Sequence, residues 1–200
     1  MEPDALVIGA GPAGLMAAEE LARAGRRVVI CEAKPSPARK FLMAGKSGLN
    51  ITKDEDLSAF VAQYDAADWL RPMLQAFGPR EVIIFSRALG QEVFTGTSDR
   101  VFPKAMKASP LLRAWLLRLG AAGVDLRTRW GWAGFDGDGL RFETPQGVQV
   151  LRPKVTVLAL GGASWARLGS DAAWAPWLAE KGVAIAPFQP ANMGFSVNWT

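Results

Sequence analysis

Gly9-Ala10-Gly11-Pro12-Ala13-Gly14, with Glu32 eighteen residues past the last glycine, is the stretch of this sequence best suited to chemistry. A glycine at 9 permits a tight turn, and the missing side chain at 11 lets an anionic group approach the backbone. A glycine at 14 lets a helix lie close to a sheet. Amides left unpaired at a helix start, aided by its dipole, receive phosphates. A carboxylate at the position of Glu32 accepts from ribose hydroxyls. These types and spacings point to a dinucleotide, and the charge of Glu32 argues against a 2′-phosphate beside it.

The elements that must position these residues are legible around them. Residues 5–8 are an apolar run suited to a strand buried on both faces. A helical pattern follows through about Ala24, with Leu15, Ala18, Leu21 and Ala22 as its stripe and Gly25 as its stop. Residues 28–31 form a second apolar run ending at Glu32, and Cys31 within it reads as a small buried side chain. The result is strand, glycine turn, helix and strand.

Composition removes other chemistries. The 200 residues hold no histidine and one cysteine. Ser-His-Asp and Cys-His relays, Cys/His zinc sites and internal disulfides are therefore excluded, and an organic cofactor is expected to carry any difficult step. The net charge of +4 is scattered, without a basic run or nucleic-acid module. No window is apolar enough for a membrane span, so a cytoplasmic location and a small-molecule substrate are expected, with neither nucleic acid nor membrane as partner. Lys46, Lys104 and Lys107 read as solvated charges or phosphate neighbours rather than bases. No catalytic residue is assigned.

Farther along, residues 34–52 form a long basic connection that could run beside an extended cofactor. Residues 56–89 read as helical, broken near Asp65 and Gly78-Pro79, and the apolar sets Phe60, Val61, Tyr64 and Trp69, Leu70, Met73, Leu74, Phe77 are expected in core or protein contacts. Two short strands are expected across 91–103, and a helix across 109–121 capped by Ser109. Four strands then alternate with turns from Val124 to Leu151, with the Asp-Gly-Asp-Gly hairpin at 136–139. An apolar strand, 155–160, ends at Gly161-Gly162, so both glycine turns should share one sheet edge. Residues 183–188 and 192–199 read as strands, and the second reads as cut at Thr200.

The hexad 9–14, the run ARKFLMAGKSGLNIT, the run DRVFPKAMKA and the run VTVLALGGASWARLGS resemble, in that order, the BaiN-like family of FAD-dependent oxidoreductases. The resemblance implies a glutathione-reductase-like FAD domain interrupted by a second domain. It implies that Gly9, Gly11 and Gly14, with Pro12 and Ala13 between them, face the pyrophosphate. Glu32 and Ala33 would meet the adenosine ribose, Arg39 and Lys40 would follow it, and Gly45, Asn50 and Thr52 would lie near the flavin. Trp132 would sit by the adenine, and Gly161 and Gly162 would close over the cofactor. Three positions depart from the family: Leu49 stands in a loop that often reads Gly-Arg-Cys-Asn, Asp99 replaces a glycine, and Leu160 replaces a threonine.

The expectation is an α/β chain: a doubly wound Rossmann-like FAD domain over 1–188 with a β-meander crossover, then the start of a truncated β-rich substrate domain over 189–200. The expected function is FAD-dependent oxidoreduction, with NAD(P)H as a candidate donor. An NAD-binding dehydrogenase and a non-catalytic nucleotide-binding module, the latter suited to the eight tryptophans, stand as alternatives.

Overall fold

The computed structural model describes residues 2–46, 48–65, 67–189 and 196–197. In chain order, β1 (Ala5–Ile8) turns into α1 (Pro12–Arg23), which returns as β2 (Val28–Glu32). Next come α2 (Arg39–Ala44), β3 (Thr52–Lys53), α3 (Leu57–Val61), α4 (Ala67–Ala76) and α5 (Pro79–Ala88). After β4 (Val93–Thr95) and β5 (Arg100–Pro103), α6 (Ala108–Ala121) leads to β6 (Asp125–Thr128). The meander β7 (Gly131–Asp136), β8 (Gly139–Thr144) and β9 (Gly147–Leu151) then precedes β10 (Val155–Leu158), and α7 (Ala175–Ala179) follows.

Four strands form a parallel sheet in the order β10-β1-β2-β6. Alternate residues of β1 and β2 explain their unbroken apolar runs. Ala5, Val7, Val28 and Ile30 pack among α1 and α6 side chains such as Leu15, Leu112 and Trp115. Leu6, Ile8, Val29 and Cys31 pack on the opposite face against Trp132, Leu140 and Phe142 of the meander. Covering both faces is what a parallel sheet requires. Full burial of one such Leu, Ile or Val contributes about 1.5–3 kcal/mol.

The helices stop where glycine allows it. At the end of α1, Gly25 adopts φ +72°. Its amide donates to Ala22 O at 2.9 Å and the Arg26 amide donates to Leu21 O at 3.1 Å, a Schellman closure. Glu19, buried on α1, joins this helix to α6: it accepts from Trp115 Nε1 at 2.6 Å and from Arg118 Nη1 at 3.0 Å. The helical face of the sheet thus carries one satisfied polar tie.

The strands expected across 91–103 form as β4 and β5, and β3 joins them in a small antiparallel sheet. The meander is antiparallel throughout, and its first hairpin places Gly137 at φ +59°. Three expectations need correction. Residues 183–188 form no strand and pair with no other strand, and most of the segment is exposed. Ser109 is not the cap of α6, because the helix starts one residue earlier, with Lys107 in the cap position. The apolar sets around α4 are core only in part: Val61 of α3 is buried, whereas Tyr64, Trp69, Met73 and Phe77 are exposed. The strand expected at 192–199 lies, except for residues 196 and 197, outside the described residues. No helix among the described residues is long and apolar enough to cross a membrane.

Candidate functional site

The carboxyl ends of β1, β2 and β10 meet at the two glycine turns. The Gly9 amide donates to Cys31 O at 2.8 Å, and the Ala159 amide donates to Ile8 O at 2.8 Å. At Gly9, φ is +102° and a Cβ would stand 2.4 Å from Ala159 O, so both conformation and space demand glycine. A Cβ on Gly14 would stand 1.9 Å from Gly9 O; this glycine packs α1 against the turn. Gly11 is different. Nothing lies within 4 Å of its Cβ position, and its φ of −78° is open to any residue. No neighbour within the described chain requires position 11 to be bare.

A cavity of about 590 Å³ opens beyond these strand ends. The turn contributes Gly9, Gly11, Pro12 and Ala13, and the end of β2 contributes Glu32 and Ala33. Arg39 and Lys40 of α2, Trp132 of β7 and Gly161 after β10 complete the expected residues that line it. Five expected residues do not. Gly14 is buried beneath Gly9, because close packing of α1 consumes its bare face. Gly45 packs on Ala108 at the start of α6. Asn50 is exposed, and Thr52 pairs with Val101 in the small sheet, which carries both away from the cavity. Gly162 turns its carbonyl to Ser170 Oγ at 3.0 Å, folding the segment after β10 back on itself.

The polar groups around the cavity are arranged but incompletely used. Glu32 accepts from the Ala10 amide at 2.9 Å and from the Lys34 amide at 2.8 Å, so its carboxylate is held against the glycine turn. Each oxygen retains capacity for another donor. The Ala38 amide donates to Ala10 O at 2.9 Å, tying the next loop to the same turn. Lys40 donates to Ser164 Oγ, linking α2 to the segment after β10. Gly11 supplies no side-chain cap to α1 and its first turn carries no acid, so nothing within the helix offsets its positive end. Among the described residues, Arg39 Nε and Trp132 Nε1 are buried donors without partners. Such donors normally find an acceptor. An anion carried on an aromatic or sugar body would supply the missing acceptors.

Cys31 also borders the cavity but is almost fully buried, and burial pushes its thiol up to about 12. Sequence reading missed part of the wall. Trp130, Trp174 and Trp177 join Trp132 there, so four of the eight tryptophans line one cavity. The two-residue step from Trp130 to Trp132 and the three-residue step from Trp174 to Trp177 were the available signals. Lys104, by contrast, is paired with Glu92 away from the cavity.

Among solved structures, the chain is similar to THI4 of Thermovibrio ammonificans at 19% identity and TM-score 0.55, over 92% of this chain and 64% of that one. It is similar to a flavocytochrome c3 fumarate reductase in its open conformation at 18% identity and TM-score 0.61, over 80% and 34% respectively. It also resembles a 3-ketosteroid-delta4-(5alpha)-dehydrogenase from Rhodococcus jostii at 16% identity and TM-score 0.57, over 80% and 46%. At these identities the likeness is one of fold, and the chain spans about a third to just under two thirds of each of these proteins. No curated protein sequence matches it. A family model described as the HI0933-like protein Rossmann domain matches residues 3–194, nearly the whole chain, and the chain therefore belongs to the HI0933-like family through its Rossmann domain.

Proposed function

We propose that this chain is the dinucleotide-binding part of an FAD-dependent oxidoreductase, of the BaiN-like kind that its motifs resemble. The observation that carries the reading is the bare, open flank of Gly11 at the uncapped start of α1, with Glu32 anchored to the same turn. Of the similar structures, one is a flavocytochrome and another a dehydrogenase, which supports redox chemistry over a passive nucleotide module.

Bound FAD would supply the hydride- or electron-carrying ring. The chain's own residues bind and orient. The Gly11 flank and the Ala13 amide would take the diphosphate, and Arg39 Nε would be satisfied by a phosphate oxygen. Glu32 would accept from ribose hydroxyls with the lone pairs its two amide donors leave free. Trp132 and its tryptophan neighbours would exclude water from the adenine end. NAD(P)H as donor, a small-molecule substrate and a cytoplasmic location belong to the same proposal, as do contacts from Gly45, Asn50, Thr52 and Gly162 made through a part of the cofactor outside this cavity.

The test is spectroscopic. The purified chain is incubated with FAD, desalted and scanned from roughly 300 to 550 nm, and titrated in parallel with ADP and NAD. Retained flavin absorbance with saturable ADP binding supports the reading. A folded chain that binds neither FAD nor ADP overturns it. Tight NAD binding without flavin would return the NAD-dependent dehydrogenase in its place.

A further inference from the structure

The segment after β10 is folded on itself beside the cavity. Gly162 O accepts from Ser170 Oγ at 3.0 Å and from the Ala172 amide at 3.2 Å, which closes residues 162–172 into a compact loop. Leu168, Gly169 and Ser170 of this loop line the cavity. Lys40 reaches from α2 to Ser164 Oγ, and the Lys34 side chain packs on Gly169, whose φ is +102° and whose Cβ position lies 3.2 Å from Lys34 Cε. Two lysines of the basic connection therefore hold the loop in place.

Trp165 stands in that loop in a conformation its side chain does not suit. Its φ of 70° and ψ of 61° are left-handed, where a bulky residue is an outlier and glycine is at ease. Nothing within the described chain compensates. The indole is 54% exposed, belongs to neither apolar cluster, and pairs with no other ring or cation. Trp130, Trp132, Trp174 and Trp177, by contrast, all pack in the cluster that backs the cavity. Left-handed strain of this kind gathers at ligand clamps, where a bound group rewards the side chain that the backbone penalises.

Its place in the fold identifies the group. The Leu168 amide donates to Trp165 O at 2.8 Å, so Trp165 opens the single turn Ala166–Leu168. Leu168, with Arg39, borders both the first cavity and a second of about 620 Å³ between α2 and the start of α6, which Gly45, Lys46 and Lys107 also line. With adenine at the tryptophan wall and the diphosphate at Gly11, the other half of the dinucleotide leaves the first cavity past this junction. Resting on the dinucleotide reading above, we propose that Trp165 covers the second ring of the dinucleotide, the flavin of FAD, by stacking its indole on that ring. The loop closed on Gly162 O and tied through Ser164 to Lys40 presents the indole there. Trp165 thereby favours a dinucleotide that carries a second ring over ADP, and it contributes nothing to the adenine half.

Titrations with FAD and with ADP, of the parent chain and of W165F, W165G and W165A, test this, with thermal melts to follow folding. W165G and W165A should lose FAD affinity by roughly 5- to 150-fold, the range for one ring stacked on an aromatic side chain, and change ADP affinity by less than about twofold. W165F keeps a ring and should bind FAD close to the parent. Flavin bound to W165G should fluoresce more brightly, because no indole lies against it. W165G should also melt above W165A, since glycine alone takes the left-handed backbone without steric cost, the reverse of their order in a helix. The proposal is overturned if W165G keeps the parent's FAD affinity, or if W165A melts as high as W165G. It is equally overturned if FAD and ADP weaken together, which would make the indole a support of the loop. ADP binding with FAD affinity indifferent to W165G sinks this inference alone, whereas a folded parent that binds neither nucleotide sinks the dinucleotide reading beneath it.

Discussion

Replacing Gly11 and Gly14 separately by alanine divides binding from folding. At Gly14 the new Cβ falls 1.9 Å from Gly9 O and 3.2 Å from Val7 Cγ1. The first contact is roughly 1.5 Å inside van der Waals separation, against backbone that another strand end holds in place. Alanine would otherwise gain about 1 kcal/mol of helix propensity. Overpacking at about 1–3 kcal/mol, and more where backbone must move, outweighs that gain. For a chain of this size each kcal/mol lowers the thermal midpoint by about 2–4 °C. Gly14→Ala should therefore melt several degrees early. At Gly11 nothing lies within 4 Å and φ is −78°, so Gly11→Ala leaves stability within about 0.5 kcal/mol of the parent or slightly raises it. Its methyl group does stand where a diphosphate would approach. Loss of one charge-assisted hydrogen bond, about 1.5–3 kcal/mol, weakens ADP binding roughly 10- to 150-fold. Thermal melts followed by circular dichroism and calorimetric titration with ADP measure both quantities. The reasoning is refuted if folded Gly11→Ala binds ADP as the parent does, or if it loses as much stability as Gly14→Ala.

Other perturbations reach different parts of the same framework. Glu32→Gln keeps the shape but loses the charge that the Ala10 and Lys34 amides meet. It should weaken ADP binding and narrow the preference for ADP over its 2′-phosphorylated form, and an unchanged preference in competition titrations would remove Glu32 from the ribose site. Glu19→Ala leaves Trp115 Nε1 without its acceptor and Arg118 without its partner, at a cost of about 2–4 kcal/mol in chemical denaturation. A loss below about 0.5 kcal/mol would deny that tie any role. The Cys31 thiol, raised to about 12 by burial, is protonated in all but roughly one molecule in ten thousand at pH 8. Because the raised value keeps the thiol neutral at and around neutral pH, its reaction with a disulfide reagent there should follow unfolding instead of pH, and rapid labelling of the native chain would contradict the burial.

The opening unit was readable because its signals are local. A run of four apolar residues, three bare positions, an amphipathic stripe, a stopping glycine and an acid each act through neighbours a few residues away. The hairpin at 136–139 and the second glycine turn are of the same kind. Ser109 does not cap α6: Ala108 is already helical and packs on Gly45, a contact between residues far apart in sequence. The run 183–188 has strand composition, yet a strand also needs an edge to pair with, and composition cannot provide one.

Chain order and residue type alone determined the parallel βαβ unit, the exclusion of histidine and disulfide chemistry, and the identity of the dinucleotide-type turn. Only the folded arrangement decided that Gly9 and Gly14 serve packing while Gly11 faces open space, because that distinction depends on Ala159 after β10 meeting Gly9 and on α1 folding back against Gly9 and Val7. Tertiary structure likewise gathered four tryptophans onto one wall and brought Lys46 and Lys107 to line a second cavity. Those groupings depend on distances across 40 to 60 residues of chain, which no local periodicity encodes.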